Sequence, residues 1–208
     1  RMGGILGIFT SLSIFIACLG LLGLIAYTSL LHADESQLAL AAEHVQTEKA
    51  LVSAGIPHVL LRNGWYLENH TANAAQAIEM GAVFGAAVDG KFASATRADF
   101  AEAAAEVLSR DDQAGKIYEL AGDTGFTLSE YAATLSKLTG KEIPYTNLTE
   151  SDYKGALVNA GLPEGFAELL ANSDAQAAKG GLYSDRKDLS ELLGRPSHTL
   201  EAILKATL

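Results

Sequence analysis

Apolar residues follow two patterns along this chain, and the two predict different elements. Residues 56–61 form a short apolar run that is typical of a buried strand. Residues 36–55 have a helical pattern instead, in which Leu38, Ala42 and Val45 begin one apolar face and Gly55 marks the end. The sequence therefore predicts a helix over 36–55 and a strand directly after it.

The same criteria predict the elements of the second half. Asp99 is the expected N-cap of an alanine-rich helix, and Thr127-Leu128-Ser129-Glu130 has the form of a capping box that opens another helix. The predicted helices cover residues 71–80, 100–108, 128–138, 150–159 and 166–171. The predicted strands cover residues 116–120 and 143–147, and residues 83–87 are predicted to be a strand or a loop.

The first thirty residues are unusually apolar. Residues 2–31 contain no charged side chain, and residues 5–24 alone are long enough to span a bilayer as a helix. A signal peptide is the competing interpretation, but its apolar core is shorter. We therefore expect a transmembrane helix over residues 1–23, membrane contact through residues 5–24, and a short strand from residue 24 onward.

The segment Leu-Leu-Arg-Asn-Gly-Trp-Tyr-Leu-Glu-Asn, residues 60–69, follows the predicted strand 56–61 and contains the only tryptophan, Trp65. Ligands of open α/β sheets bind beyond the carboxyl ends of the strands, so a polar and aromatic loop at such an end indicates a binding site. The alternative is that Trp65 only fills a core.

Charge and cysteine content exclude several classes of site. The net charge is −10 and no basic patch is visible, which argues against nucleic-acid binding. The single cysteine cannot form a disulfide within one chain, and the five histidines are too scattered to have ligand spacing, so no metal site is predicted. These histidines are interpreted as structural or solvated.

Four separated blocks carry a resemblance to a known family. They are residues 24–34 (LIAYTSLLHAD), residues 60–69, residues 93–99 (ASATRAD), and Ser173-Asp174 together with residues 179–182 (KGGL). In these blocks the sequence resembles the NmrA-like atypical short-chain dehydrogenases, and among them the type 2 NAD(P)H:quinone oxidoreductases. The resemblance implies an α/β fold over residues 24–208: the C-terminal part of a Rossmann-like parallel sheet with a small α/β substrate lobe.

The resemblance also implies an activity and a set of site residues. The activity would be hydride transfer from NADPH, with NADH as an alternative donor, to a quinone by a cytoplasmic protein. Asn69 would orient a quinone carbonyl, Ser94 would face the cofactor, and a contiguous run would border the nicotinamide: Asn63, Gly64, Trp65, Tyr66, Leu67 and Glu68.

Two departures from the family pattern limit this expectation. The sequence contains no glycine-rich dinucleotide turn, so the N-terminal half of the Rossmann sheet is expected to be missing and the activity impaired. Where short-chain dehydrogenases have a Tyr-x-x-x-Lys pair, this chain has residues 44–48 (HVQTE) with Lys49 one place later. No phenol is expected there as a proton donor, although His44 could serve.

The N-terminal segment has a resemblance of its own. Residues 3–28 resemble a membrane helix of the FtsX-like permeases of ABC transporters, which predicts a junction near residues 24–28. Three functions therefore remain open: a quinone reductase that is truncated and impaired, a non-catalytic NAD(P)-binding redox sensor of the NmrA kind, and an inactive membrane-anchored fragment.

Overall fold

The computed structural model describes residues 24–208. The predicted transmembrane helix, residues 1–23, lies outside the described residues, and so does nearly all of the segment that resembles a permease. Within 24–208, no helix is both long enough and apolar enough to cross a membrane. The strand expected from residue 24 is confirmed, because residues 25–30 are extended.

Strands and helices alternate along the described residues. The strands are β1 (Ile25–Leu30), β2 (His58–Asn63), β3 (Val83–Gly85), β4 (Ile117–Leu120) and β5 (Tyr145–Asn147). The helices are α1 (Ala41–Ala54), α2 (Glu68–Thr71), α3 (Ala74–Met80), α4 (Arg97–Ser109), α5 (Leu128–Thr139), α6 (Glu150–Asn159), α7 (Glu164–Ala177), α8 (Asp188–Leu193) and α9 (Leu200–Thr207).

The main sheet is parallel, with strand order β1-β2-β4. Leu30 pairs with Asn63, and Asn63 pairs with Leu120, so the three strands end at the same level. Side chains alternate between the two faces of a strand. Ser29, Arg62 and Glu119 therefore share one face, while Leu30, Asn63 and Leu120 share the other.

Two apolar clusters form the core. One packs the main sheet against α4 and α8 and includes Val59, Leu61 and Phe100. The other joins the loops beyond the strands to α5 and α9 and includes Leu67, Phe92 and Leu135. The second cluster ties the smaller lobe to the edge of the sheet where the strands end.

The smaller lobe is built around the parallel pair β3-β5, beside which α6 and α7 pack against each other. It corresponds to the small α/β substrate lobe that the resemblance implied. A parallel sheet with flanking helices confirms the predicted α/β class.

The differences from the predicted elements have local causes. The helix expected over 36–55 begins only at Ala41, because Ser36 Oγ accepts the backbone N–H of Leu38 and residues 31–35 form turns. The prediction that Asp99 is an N-cap is wrong: Thr96 caps α4, and Asp99 is the third helical residue of that capping box. The capping box at Thr127 is confirmed.

Asp174 on α7 is a buried carboxylate that holds the smaller lobe together. It accepts the backbone N–H of Ala86 at 2.9 Å, and its Oδ2 would lie 2.7 Å from a Cβ atom at Gly85, so this approach requires glycine. Burial raises the pKa of Asp174 to about 6. The folded state therefore binds this proton more tightly than the unfolded chain does.

We expect Asp174→Asn to stabilise the protein at pH 7.5 and to leave it unchanged near pH 4. The pKa of Asp174 is raised on folding, so its ionisation costs stability as the pH rises from about 4 to about 6. A pKa difference of about two between the folded and unfolded chain corresponds to roughly 3 kcal/mol, and we expect a gain of about 1–3 kcal/mol. Urea unfolding across this pH range measures the gain.

Asp185→Asn is the control, since Asp185 is exposed. The difference in unfolding free energy between this variant and the wild-type protein should be small and independent of pH. If the difference in unfolding free energy for Asp174→Asn were also independent of pH, the raised pKa of Asp174 would be contradicted.

Candidate functional site

The loop after β2 is held by the backbone of residues 93–95. The Leu67 N–H donates to the Ala95 carbonyl at 2.9 Å, and the Ala95 N–H donates to the Trp65 carbonyl at 3.1 Å. Ala93 in turn donates its N–H to the carbonyl of Leu182. Three of the four blocks that carry the family resemblance are thus joined by backbone hydrogen bonds, and the Leu31 N–H, which donates to the Asn63 carbonyl, adds the fourth.

Two glycines allow these segments to meet. A Cβ atom at Gly64 would lie 3.1 Å from the carbonyl oxygen of Leu120 and 3.2 Å from the carbonyl oxygen of Ala93. A Cβ atom at Gly122 would lie 2.1 Å from the carbonyl oxygen of Ser94. Ser94 therefore lies between the ends of β2 and β4. The close approach that Gly64 permits is to the chain's own backbone.

Unpaired polar atoms mark the interior of this edge. Asn63 and Ser94 are 8% and 3% exposed. Asn63 Oδ1, Ser94 Oγ and Glu68 Oε2 are buried, and none has a hydrogen-bond partner within residues 24–208. Buried polar atoms usually have partners, so such atoms at one site fit a ligand with donors and acceptors of its own.

The aromatic residues of the loop differ in their environment. Trp65 is half-buried and packs against the second core cluster, as the alternative interpretation of the sequence expected. Tyr66 is also half-buried, and its ring meets the edge of Phe100 at a centroid distance of 5.6 Å. Leu67 is 1% exposed and packs in the core. Cofactor contacts of these three residues remain predictions.

Arg97 and Glu68 flank Tyr66. The guanidinium carbon of Arg97 lies 4.2 Å from the centre of the Tyr66 ring, a cation–π arrangement. The backbone N–H of Arg97 donates to Glu68 Oε1 at 2.8 Å. Sequence reasoning missed Arg97, although it lies in the block ASATRAD.

Asn69 lies in the single turn α2, directly after the loop. Its backbone N–H donates to the Tyr66 carbonyl, and its own carbonyl accepts the side-chain amide of Asn73. The side chain is half-buried. These contacts fix the backbone of Asn69 beside the loop, and its role toward a quinone remains a prediction.

Arg62 is the centre of a buried ion-pair network at this end of the sheet. It is 5% exposed and contacts Glu48 of α1 at 2.7 Å, Glu119 of β4 at 2.8 Å and Asp34 at 2.6 Å. The hydrogen bonds to Glu48 raise the pKa of Arg62 above its already high ordinary value. A charged residue inside an apolar strand was the signal in the sequence that could have revealed this network.

Glu119 extends the network to the loop after β1. Its Oε2 accepts the backbone N–H of His32 at 2.8 Å. His32 has a positive φ of 53°, which is uncommon for a residue other than glycine. The network therefore fixes the turn that leaves β1 as well as β2, β4 and α1.

A phenol from another element lies beside His44, which stands where the family pattern would have its proton donor. The Tyr27 hydroxyl lies 3.3 Å from His44 Nδ1. Burial lowers the pKa of His44, so its imidazole is neutral at pH 7. When the phenol donates to Nδ1, the ring proton is held on Nε2. Tyr27 comes from a strand rather than from the helix, so local spacing could not reveal the pair.

His70 follows Asn69 but is buried among aromatic rings. It meets Phe92 and Phe126 edge-on, at centroid distances of 4.9 and 5.1 Å. Burial lowers the pKa of His70 to about 4, so it is neutral at pH 7. This environment agrees with a structural histidine.

Asp99 fastens the C-terminal segment to the same edge. It is fully buried, and its carboxylate accepts a hydrogen bond from Nδ1 of His198 at 2.8 Å. The same carboxylate forms an ion pair with Arg195 at 3.0 Å. Hydrogen bonds from Thr96, His198 and Arg195 outweigh the effect of burial and lower the pKa of Asp99. Asp99 is therefore an ionised structural anchor.

Residues 24–208 contain no group of His, Cys, Asp and Glu side chains that could hold a metal ion. The polar groups left for a ligand at the carboxyl edge include the oxygens of Asn63, Ser94 and Glu68 and the guanidinium of Arg97.

Comparisons with known proteins point to one group of reductases. The chain is 57% identical over 176 residues to quinone oxidoreductase 2 of Escherichia coli, and the match covers 85% of this chain and 62% of that protein. No protein-family model matches the sequence. The matched relative is a reductase, so this similarity gives no support to the resemblance to transporter permeases.

Solved structures agree with this similarity. Two crystal structures of the NADPH-dependent quinone oxidoreductase of E. coli, one complexed with NADPH, match with a TM-score of 0.87 and 55% identity. The matches cover 88% of this chain and 65% and 67% of those chains. Triphenylmethane reductase of Citrobacter complexed with NADP(H) matches with a TM-score of 0.83 and 34% identity, over 89% of this chain and 66% of that one. The chain thus spans about two thirds of the length of these relatives.

We expect Arg62→Met to lower the free energy of unfolding by about 3–5 kcal/mol, because it leaves the buried carboxylates of Glu48 and Glu119 without their cation. Guanidinium unfolding at neutral pH measures this loss. Lys137→Met removes an exposed pair with Glu201 and is the control, with an expected change below about 0.5 kcal/mol. Equal losses in the two variants would contradict the importance of the network.

Proposed function

Because this chain belongs to the family of the NADPH-dependent quinone oxidoreductase 2 of E. coli, we propose that its function is the NADPH-dependent reduction of a quinone, with NADH as an alternative donor. The observation that carries the proposal is the pair of buried, unpaired atoms Asn63 Oδ1 and Ser94 Oγ at the carboxyl edge of the sheet. Parallel α/β sheets bind ligands at this edge.

The residues present fit the nicotinamide end of such a cofactor. A carboxamide has N–H donors and a carbonyl acceptor, and Asn63 Oδ1 would accept from the donors while the Ser94 hydroxyl would donate to the acceptor. Tyr66 and Trp65 would provide flat apolar surface beside the ring. When bound, the cofactor supplies the hydride.

The contribution of the chain to such a reaction is orientation. Asn63 and Ser94 lie on backbone that is fixed by the hydrogen bonds of residues 65–67 with residue 95, so their side chains are preorganised. Asn69 would hold a quinone carbonyl through its side-chain amide. Leu67 closes the interior side of the loop and keeps water out of the core.

The one proton that completes a quinol after hydride transfer needs no buried acid, because a quinone oxygen can take it from water. Tyr27 pairs with Leu60 and therefore lies on the Arg62 face of the sheet. His44 beside Tyr27 thus faces away from Asn63 and is not assigned as the donor. A second candidate function, the non-catalytic redox sensor, requires the same cofactor site and differs only in turnover.

We expect NADPH to quench the fluorescence of Trp65 in a saturable way, because Trp65 is the only tryptophan and lies next to Gly64 and Tyr66. The sequence has no glycine-rich turn to hold the pyrophosphate, so the titration should extend to millimolar NADPH. Free N-acetyltryptophanamide corrects for light absorbed by the nucleotide.

Ser94→Ala should weaken NADPH binding about 3- to 10-fold, since one hydrogen bond is lost. Asn63→Asp should weaken it more, because a buried carboxylate would replace the neutral amide. Ser53→Ala is the matched control: its hydroxyl donates to the Lys49 carbonyl within α1, so binding should not change. No quenching in a folded chain up to millimolar NADPH would contradict the proposal.

Consumption of NADPH with a soluble quinone separates the two functions. A reductase oxidises NADPH only when the quinone is present. Saturable NADPH binding without turnover would favour the sensor instead.

A further inference from the structure

Arg97 differs from every other arginine in the described part of the chain. Arg62, Arg110, Arg186 and Arg195 each form an ion pair with at least one carboxylate. No carboxylate oxygen of residues 24–208 lies within 4.0 Å of the Arg97 guanidinium, although the whole chain has a net charge of −10. Arg97 is exposed and lies over the ring of Tyr66.

The position of this cation is fixed by its neighbours. Tyr66 is held by Phe100 and by its bridge to Ala95, so the ring is a firm support for the guanidinium. Glu68 uses Oε1 to accept the backbone N–H of Arg97, and it forms no ion pair with the Arg97 guanidinium. A stacked guanidinium loses little conformational freedom when it binds an anion, because it is already oriented.

The cation also borders the candidate site. Arg97 is three residues beyond Ser94, and the tyrosine beneath it is three residues beyond Asn63. The buried polar atoms and the exposed guanidinium therefore belong to the same two segments. A ring held beside Tyr66 and Trp65 would bring a substituent to Arg97.

We propose that Arg97 binds an anionic substituent of the acceptor, so that the preferred acceptors are ring compounds carrying a sulfonate or carboxylate group. This inference rests on the proposed function, and it names the substrate class of that site. Both oxyanions match the planar, bidentate donor pattern of a guanidinium. Because the net charge of the chain repels anions at long range, a local unpaired cation is needed to select them.

A phosphate group of the cofactor could also bind to Arg97 as an oxyanion. The test therefore distinguishes an anionic group of the acceptor from a phosphate of the cofactor. Calorimetry without turnover compares 1,4-naphthoquinone-2-sulfonate with 2-methyl-1,4-naphthoquinone, which share a ring system and differ in charge. Naphthalene-2-sulfonate is the third probe, because it has the anion and cannot be reduced as a quinone. NADPH binding is measured in parallel.

We expect the sulfonated quinone to bind the wild-type chain about 10-fold more tightly than the neutral quinone. This is the difference in affinity that one charge-assisted hydrogen bond contributes at a partly exposed site. Arg97→Gln should abolish this preference, and Arg97→Lys should retain part of it. Added salt should reduce the preference. Arg110→Gln, at the other end of α4, should behave as the wild-type chain does.

Four outcomes would overturn the inference. They are a sulfonate preference that survives in Arg97→Gln, an equal loss for charged and neutral quinones, a loss of NADPH affinity with the sulfonate preference retained, and no binding of any sulfonate by the wild-type chain. A different result would contradict the proposed function alone. If naphthalene-2-sulfonate binds and its binding depends on Arg97, but the chain does not oxidise NADPH with quinones, the anion site is supported and the reductase function is contradicted.

Discussion

The guanidinium of Arg62 is the interaction on which the carboxyl edge of the sheet depends. Without it, Glu48, Glu119 and Asp34 would bring three negative charges together where α1, β2, β4 and the loop after β1 meet. Burying the charges of Glu48 and Glu119 is expensive, and their attraction to one cation offsets this cost only when the geometry is good. The bidentate contact with Glu48 provides that geometry, with N–O distances of 3.0 and 2.7 Å.

The network also determines which face of the sheet is available to a ligand. Arg62 and Glu119 occupy one face of the strands, and Asn63 is on the other, because neighbouring residues of a strand alternate. On the ionic side, Arg62 and Glu119 are paired with each other and with Glu48, Asp34 and His32, although Ser29 Oγ on that face has no partner within residues 24–208. The side of Asn63 also has unpaired oxygens, and the loops that carry Ser94 and Tyr66 extend from it. Two consecutive residues of one strand therefore face the ion-pair network and the proposed binding site.

The sequence was sufficient to predict features that depend on residues close together in the chain. The loop after β2 lies at the end of a buried strand, as the composition of residues 60–69 predicted, although the strand runs to Asn63 and includes residues 60–63. The capping box at Thr127 is also present. The assignment of Asp99 as a cap failed because Thr96, three residues earlier, has the same chemistry and captures the Asp99 N–H. The Tyr27–His44 pair and the partners of Arg62 come from segments far apart in the chain, so no spacing rule could identify them.

The site has buried neutral groups and one exposed charged group, and these would bind different kinds of ligand atom. Asn63 and Ser94 are neutral and nearly inaccessible, so they can discriminate only groups that enter the protein, and an unmatched group there would leave buried polar atoms unpaired. Arg97 is exposed and charged, so it acts on atoms that stay near water, where the energy of a contact is smaller and depends on salt. A ligand that satisfies both must have a neutral polar end, a flat middle section for Tyr66 and Trp65, and a negative group at its outer end. This order of groups follows from the burial of the side chains at the site, from Asn63 and Ser94 inside to Arg97 at the surface.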